Sequence, residues 1–323
     1  MKAVCFSRYG EPHVLELVER AKPTPGPGEV LVRVHATAIN DWDWSFVRGR
    51  PYIYRLIYGL RRPKIEVLGA EVAGTVEAVG EGVGELRPGD RVYGDLSEAG
   101  FGGFAEYVRV SERALVKMPT SMTFEQAAAL PHAAALALQG LVDVGRIQRG
   151  DKVLINGAGG GVGTLGLQIA KQYDAEVTGV DSGPKLDLLR QLGFDHVIDY
   201  RREDFTRRGE RYDLILDANT SRSPLSYAHA LQRGGRYVTV GGDVTRLLQT
   251  LCLGPLIRLA TSKSFRIVAL KTNKDLDYIG ELFEAKGLDV VLDGPYPLSE
   301  VPAALQRFGE ASHRGKIVIR VAE

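Results

Sequence analysis

Two cysteines in 323 residues, Cys5 and Cys252, are too few and too far apart to build a disulfide framework or a clustered thiolate site. That scarcity fits a reducing compartment. No apolar run reaches the ~18 residues of a membrane span, and the opening Met1-Lys2-Ala3-Val4-Cys5-Phe6 reads as a strand without the apolar core of a signal peptide. Excess charge is missing too: the formal net charge is +1, so no global field argues for nucleic acid or an anionic membrane. Internal repeats and low-complexity segments are absent. What remains is an ordinary globular composition, 25% charged and 44% hydrophobic, expected in the cytoplasm. The length allows about two domains at ~150 residues each.

Glycine, by contrast, is concentrated where it matters. The stretch Lys152-Val153-Leu154-Ile155-Asn156-Gly157-Ala158-Gly159-Gly160-Gly161-Val162-Gly163 runs from a β-branched strand through a glycine-dense turn into the apolar helical pattern Leu165 to Ala170. Several backbone N–H groups and a helix N-terminus would converge there, which is how a pyrophosphate is held. Side chains would keep the backbone from approaching the phosphates. A second strand, Glu176 to Val180, ends at Asp181, about where an acid contacts the adenosine ribose. The turn therefore predicts a dinucleotide site.

Residues 1 to about 120 carry short strands, such as Val30 to Ala36, Gly74 to Val79 and Asp90 to Gly94, between turn signals, and read as β-barrel-like. From Thr123 the texture becomes helical and Ala-rich. After Gly150, elements alternate at 152–156, 162–172, 176–180, 184–192, 196–199, 213–217, 224–232, 235–240 and 265–270, predicting a doubly wound parallel sheet. The tail predicts helices near 274–286 and 301–309 and a strand from Lys316 to Val321. The simplest assembly inserts the dinucleotide domain, residues 122–286, between residues 1–121 and a return segment, 287–323. The fold class is α/β.

The motifs Ala36-Thr37-Ala38-Ile39-Asn40-Asp41-Trp42-Asp43, Leu68-Gly69-Ala70-Glu71-Val72-Ala73-Gly74, Arg87-Pro88-Gly89-Asp90-Arg91-Val92, Gly102-Gly103-Phe104-Ala105-Glu106-Tyr107, Ala158 to Gly163 and Arg314-Gly315-Lys316-Ile317-Val318 span nearly the whole chain. In these the sequence resembles the medium-chain dehydrogenase/reductase superfamily, and within it the zinc-free quinone-oxidoreductase-like branch. The resemblance implies a GroES-like β-barrel catalytic domain and a Rossmann domain, with substrate and nicotinamide meeting in the cleft between them. Zinc-containing relatives place three metal ligands where this chain has Asn40, Ala70 and His132, and their run of four structural cysteines is missing. One imidazole and an amide do not hold zinc, which takes about three anionic or imidazole ligands plus water. The expectation is no metal.

Without a Lewis acid, the easier hydride acceptors are those whose product anion is delocalised, an enone or a quinone. The resemblance points the same way, to an NAD(P)H-dependent enone or quinone reductase. Asn40 is expected to donate to a substrate carbonyl, His132 to supply a proton and Asp43 to orient neighbours. The segment Trp44 to Lys64 interleaves Phe46, Tyr52, Tyr54, Leu56 and Tyr58 with Arg48, Arg50, Arg55, Arg61, Arg62 and Lys64. It reads as an amphipathic surface stretch, or as a lid whose tyrosine, taken as Tyr52, donates a proton. Gly159, Gly160, Gly161, Val162, Gly163, Asp181, Ser182, Lys185, Tyr200, Asn219 and Gly241 form the expected cofactor set. Asp181 favours NAD(H), whereas Ser182, Lys185 and Tyr200 resemble the group with which related members hold the NADP(H) phosphate. Leu136 stands where relatives often carry a cofactor-positioning threonine. Two alternatives stay open: a dinucleotide-binding scaffold or sensor with little turnover, and a pathway-specific biosynthetic reductase or alcohol dehydrogenase. The strand Phe265 to Leu270 is expected at a sheet edge, where it would pair into a homodimer.

Overall fold

The computed structural model describes residues 1–321, which form two compact units. One comprises Met1–His132, Thr272–Ala285 and residues 290–321; the other comprises Ala133–Lys271 with Lys286–Asp289.

In the second unit, six strands lie side by side in the spatial order His196–Asp199, Glu176–Asp181, Lys152–Asn156, Tyr212–Asp217, Leu231–Thr239 and Ser264–Ile267. Every neighbouring pair is parallel. Strands buried on both faces need uninterrupted apolar sequence, and Val153, Leu154 and Ile155 at 0% exposure meet that need. Chain order reverses between Lys152–Asn156 and Tyr212–Asp217, whose ends pair Asn156 with Asp217. The crevice beyond such a switch point is where open α/β sheets take their ligands.

Three elements differ from the sequence reading. The helix read as 224–232 is Pro224–Ala230, because Leu231 already begins the next strand. The edge strand is Ser264–Ile267, shorter than 265–270. Between these strands the sequence alternation omits an 18-residue helix, Val244–Thr261, which contains Pro255 and is capped by the Asp243 side chain on the Arg246 N–H. A proline inside a segment argues against helix, and here it hid one.

The first unit is built on a seven-strand sheet ordered Leu292–Pro297, Lys316–Arg320, Glu29–Ala38, Glu71–Val79, Arg91–Asp95 and Val116–Lys117, with Tyr107–Ser111 also pairing Glu29–Ala38. Residues 122–132 and the helix Leu276–Glu284 group here, although the sequence reading assigned both to the nucleotide domain. Polar side chains hold the returning segment. Asn273 accepts the Asp95 N–H through Oδ1 at 2.8 Å and donates through Nδ2 to the carbonyls of Asp95 and Ala114, at 2.9 and 3.1 Å. The Tyr93 hydroxyl donates to the Leu276 carbonyl at 3.0 Å. No helix among the described residues is long and apolar enough to cross a membrane.

Candidate active site

The glycine turn sits where the sequence places it, between the strand Lys152–Asn156 and the helix Gly161–Lys171. At Gly163 a Cβ would lie 2.5 Å from the Ala158 Cα and from the Gly157 carbonyl oxygen. Only a bare backbone lets the first helical turn approach the strand end this closely, which leaves the helix N-terminus facing the crevice. A Cβ on Gly159 would come within 2.7 Å of the Lys185 side chain.

Asp181 ends the second strand, 7% exposed, and is turned onto the turn itself. Its Oδ2 accepts the Gly159 N–H at 2.8 Å, and its Oδ1 accepts the Ser182 N–H at 2.8 Å. The Lys185 ammonium lies 3.6 Å from Oδ1. Tyr200 is 39% exposed, with the Arg201 guanidinium 5.8 Å from its ring centre. Asn219 and Gly241 follow the fourth and fifth strands. The Asn219 N–H donates to Asp217 Oδ1 at 3.1 Å, and the Gly241 carbonyl accepts from Thr239 Oγ1 at 3.0 Å. Together these residues can hold a dinucleotide, with N–H groups for the pyrophosphate and polar groups at the adenosine end.

Sequence reasoning missed the brace beneath this cradle. Asp217, fully buried, accepts Asn156 Nδ2 at 2.8 Å and the Tyr237 hydroxyl at 2.7 Å. Burial raises its pKa despite those donors. The bond from Asn156 crosses the point where strand order reverses, so the two strands beside the crevice are fixed to each other.

A second cluster lies in the first unit. Asn40 is 3% exposed and its amide is engaged at both ends: Nδ2 donates to Glu71 Oε2 at 2.8 Å, and Oδ1 accepts from the Lys316 ammonium. Lys316 also pairs with Glu71 Oε2 at 2.6 Å, and Glu71 Oε1 accepts the His132 N–H at 2.7 Å. The His132 ring, 5% exposed, binds Asp95 Oδ2 through Nδ1 at 2.7 Å. Its Nε2 faces Asp41 Oδ1 at 3.6 Å, too long for a hydrogen bond. Burial opposes a charged ring, but the two carboxylates outweigh it and push the His132 pKa up to about 10. Burial likewise opposes ionisation of Asp95, and the bond to His132 overcomes it, holding Asp95 below its usual range.

Asp43 is wholly buried and faces the backbone. Its two oxygens accept the N–H groups of Asn40 and Gly69, each at 2.9 Å, while burial pushes its pKa up to about 7. It therefore ties two loops together. Tyr52 stands apart from this cluster, 64% exposed, with the Arg55 guanidinium 5.1 Å from its ring centre. Leu136 is buried in the helix Pro131–Leu138 at 7% exposure. Glu71 and Lys316 lie inside motifs visible in the sequence, beside Ala70 and after Gly315, but nothing in the sequence singles out Asp95.

Two family models match the chain: an alcohol dehydrogenase GroES-like domain over residues 26–120 and a zinc-binding dehydrogenase over residues 192–319. An NADPH-dependent alkenal/one oxidoreductase of Arabidopsis thaliana is 32% identical over 99% of this chain and 79% of its own length. The chain belongs to the medium-chain dehydrogenase/reductase superfamily, in its quinone-oxidoreductase-like branch. Among solved structures of the superfamily, the quinone oxidoreductase of Coxiella burnetii superimposes with a TM-score of 0.88 at 27% identity, covering 100% of this chain and 99% of that one. A mycocerosic acid synthase-like polyketide synthase of Mycobacterium tuberculosis is 34% identical, but the chain spans only 15% of that protein's length.

The description of one matching model makes zinc a question for this superfamily member. Its donor set does not fit the metal. Ala70 offers no ligand, both ends of the Asn40 amide are bonded, and His132 Nδ1 is committed to Asp95. Among the described residues no group of three or more His, Cys, Asp or Glu side chains is arranged to hold a metal ion.

Proposed function

We propose that the chain is a zinc-independent reductase that passes hydride from NAD(P)H to the conjugated carbonyl of an enone or to a quinone. The observation that carries this reading is the buried His132 ring, bonded through Nδ1 to buried Asp95 at 2.7 Å, at the position to which the family resemblance assigns a metal ligand in zinc-containing relatives. Hydride acceptance by an enone or quinone leaves an enolate or phenolate, and a fixed cationic donor stabilises that anion before it is protonated. The names of the Arabidopsis and Coxiella relatives point to the same substrates.

NAD(P)H, when bound, supplies the hydride; the remaining work falls to side chains. Gly161, Val162 and Gly163 at the helix start offer backbone N–H groups to the pyrophosphate, with Asn219 and Gly241 at the neighbouring strand ends, while the Gly159 and Gly160 N–H groups shape the turn by donating to Asp181 and to the Gly157 carbonyl. His132 gives up its Nε2 proton, while Asp95 retains Nδ1–H and so fixes which nitrogen is left as the base. Lys316 and Glu71 hold the Asn40 amide in one orientation, leaving its second Nδ2 hydrogen for a carbonyl. Asp43 acts only as a positioning residue. Asp181 has both oxygens bonded to backbone N–H groups and Lys185 nearby, so it repels a 2′-phosphate less than an open carboxylate would. With Arg201 and Arg202 exposed after Tyr200, NADPH is the favoured cofactor. The protein works as a cytoplasmic homodimer paired through the edge strand Ser264–Ile267, a reading supported by free Cys5 and Cys252 and by the strand's open side.

The test is a turnover assay with NADPH and NADH against a simple quinone, an enone and a saturated ketone. The expected result is faster consumption of NADPH with the first two acceptors and none with the ketone. Cofactor binding without turnover on any acceptor, or zinc-dependent turnover on the ketone, overturns the proposal.

A further inference from the structure

The short helix Ile53–Tyr58 and the residues after it carry apolar side chains on the wrong side for a core. Ile53, Leu56 and Ile57 follow the i, i+3, i+4 spacing of one helix face and Leu60 lies just past the helix end; they are 60%, 72%, 61% and 65% exposed. The opposite face already has its partners. Tyr54 and Tyr58 pack on Phe46 with ring centres 5.4 and 4.5 Å away, and the Tyr9 hydroxyl donates to the Gly59 carbonyl at 2.7 Å. Arg55 is also used internally, donating through Nε to the Gly49 carbonyl at 3.0 Å. The element is thus anchored from behind and presents leucine and isoleucine to water.

Charge says what covers them. Between Asp43 and Glu66 the chain has Arg48, Arg50, Arg55, Arg61, Arg62 and Lys64 and no acidic residue, a local excess that the net charge of +1 conceals. Arg48 pairs with Glu11 at 3.3 Å, and Glu66, at the end of the stretch, is taken by Arg20 at 2.7 Å. Arg50, Arg61, Arg62 and Lys64 are exposed and flank the apolar residues on both sides in sequence. An apolar face rimmed by cations matches the boundary between acyl chains and anionic headgroups. We propose that residues 50–64 form a monotopic docking surface for an anionic lipid bilayer, with Ile53, Leu56, Ile57 and Leu60 entering the headgroup boundary and Arg50, Arg61, Arg62 and Lys64 engaging phosphates. Such docking lies parallel to the surface, as six helical residues cannot span a bilayer.

The experiment is co-sedimentation of the 323-residue chain with phosphatidylcholine vesicles, with and without phosphatidylglycerol, at low and high salt. No quinone, enone or cofactor is present, so the result is independent of the proposed reductase activity. Binding is expected only with phosphatidylglycerol, and to weaken as salt rises. Arg61→Gln with Arg62→Gln should weaken it about 30-fold, taking the usual gain per basic residue at such a surface. Leu56→Glu with Ile57→Glu should abolish it, while circular dichroism and NADPH affinity show the variant folded. Equal binding to both vesicle types, or none to either, overturns the proposal. So does self-association without vesicles that Leu56→Glu with Ile57→Glu removes, since the stripe would then be covered by a second copy.

Discussion

At the residue scale, His132 shows how environment sets chemistry. Its pKa of about 10, against an ordinary 6.5, means that the folded state binds the proton more tightly than the unfolded chain. The resulting stabilisation is complete below pH ~6.5 and is lost as pH rises through about 10. Asp95 has the opposite sign: its depressed pKa gives stability above the usual carboxylate range that disappears as pH falls. Thermal melts of the wild type should therefore decline between neutral pH and pH 10 more steeply than those of His132→Gln. At neutral pH that variant should be less stable by about 3–5 kcal/mol, since it leaves the Asp95 carboxylate buried without its partner. Parallel pH–Tm curves would show that His132 is neutral in the folded protein. The identity of His132 as a candidate came from sequence. Its charge state did not, because Asp95 lies 37 positions away, and only the packing of the helix Pro131–Leu138 beside the end of the strand Arg91–Asp95 brings the two together. Asn40 was likewise a candidate from the sequence, yet the partners that orient it, Glu71 and Lys316, are visible only in three dimensions.

Elements differ in how plainly sequence declares them. The strand Lys152–Asn156 and the helix after the glycine turn were readable because an unbroken apolar run and a run of glycines each have one cheap structural solution. The helix Val244–Thr261 was not, since Gly254 and Pro255 are breakers in any local reading and its exposed Leu248, Leu251, Leu256 and Leu259 blur the amphipathic pattern. The glycine turn also makes the sharpest prediction at this scale. Gly163→Val places carbon atoms against main-chain atoms of Gly157 and Ala158 that cannot swing away. The helix must then lift from the strand end. Calorimetric titration with NADPH should show at least a tenfold loss of affinity, together with a lower melting temperature. Unchanged affinity would place the pyrophosphate elsewhere.

For the whole molecule, the order of six parallel strands leaves Ser264–Ile267 with one side unpaired among the described residues. Edge strands invite pairing with another chain, and a two-fold partner satisfies both edges at once. Sedimentation velocity should find a dimer at micromolar concentration, and a monomer throughout would remove that part of the proposal. Sequence anticipated both architectures, but it drew the unit boundaries from texture alone. Residues 272–285 look like the continuation of an alternating α/β pattern. Their placement is decided instead by Asn273 and Tyr93, whose bonds join positions 178 and 183 residues apart.

The clamp made by Asp43 sets unequal terms for the positions it holds. It asks of residue 40 only a main-chain N–H, which any amino acid except proline supplies. Residue 69 has no such latitude: its φ is +95°, and a Cβ there would lie 2.5 Å from the Phe104 nitrogen. Substitution at the first position therefore leaves the clamp closed and is felt by Glu71 and Lys316, the partners of the Asn40 amide, whereas the second position admits no side chain.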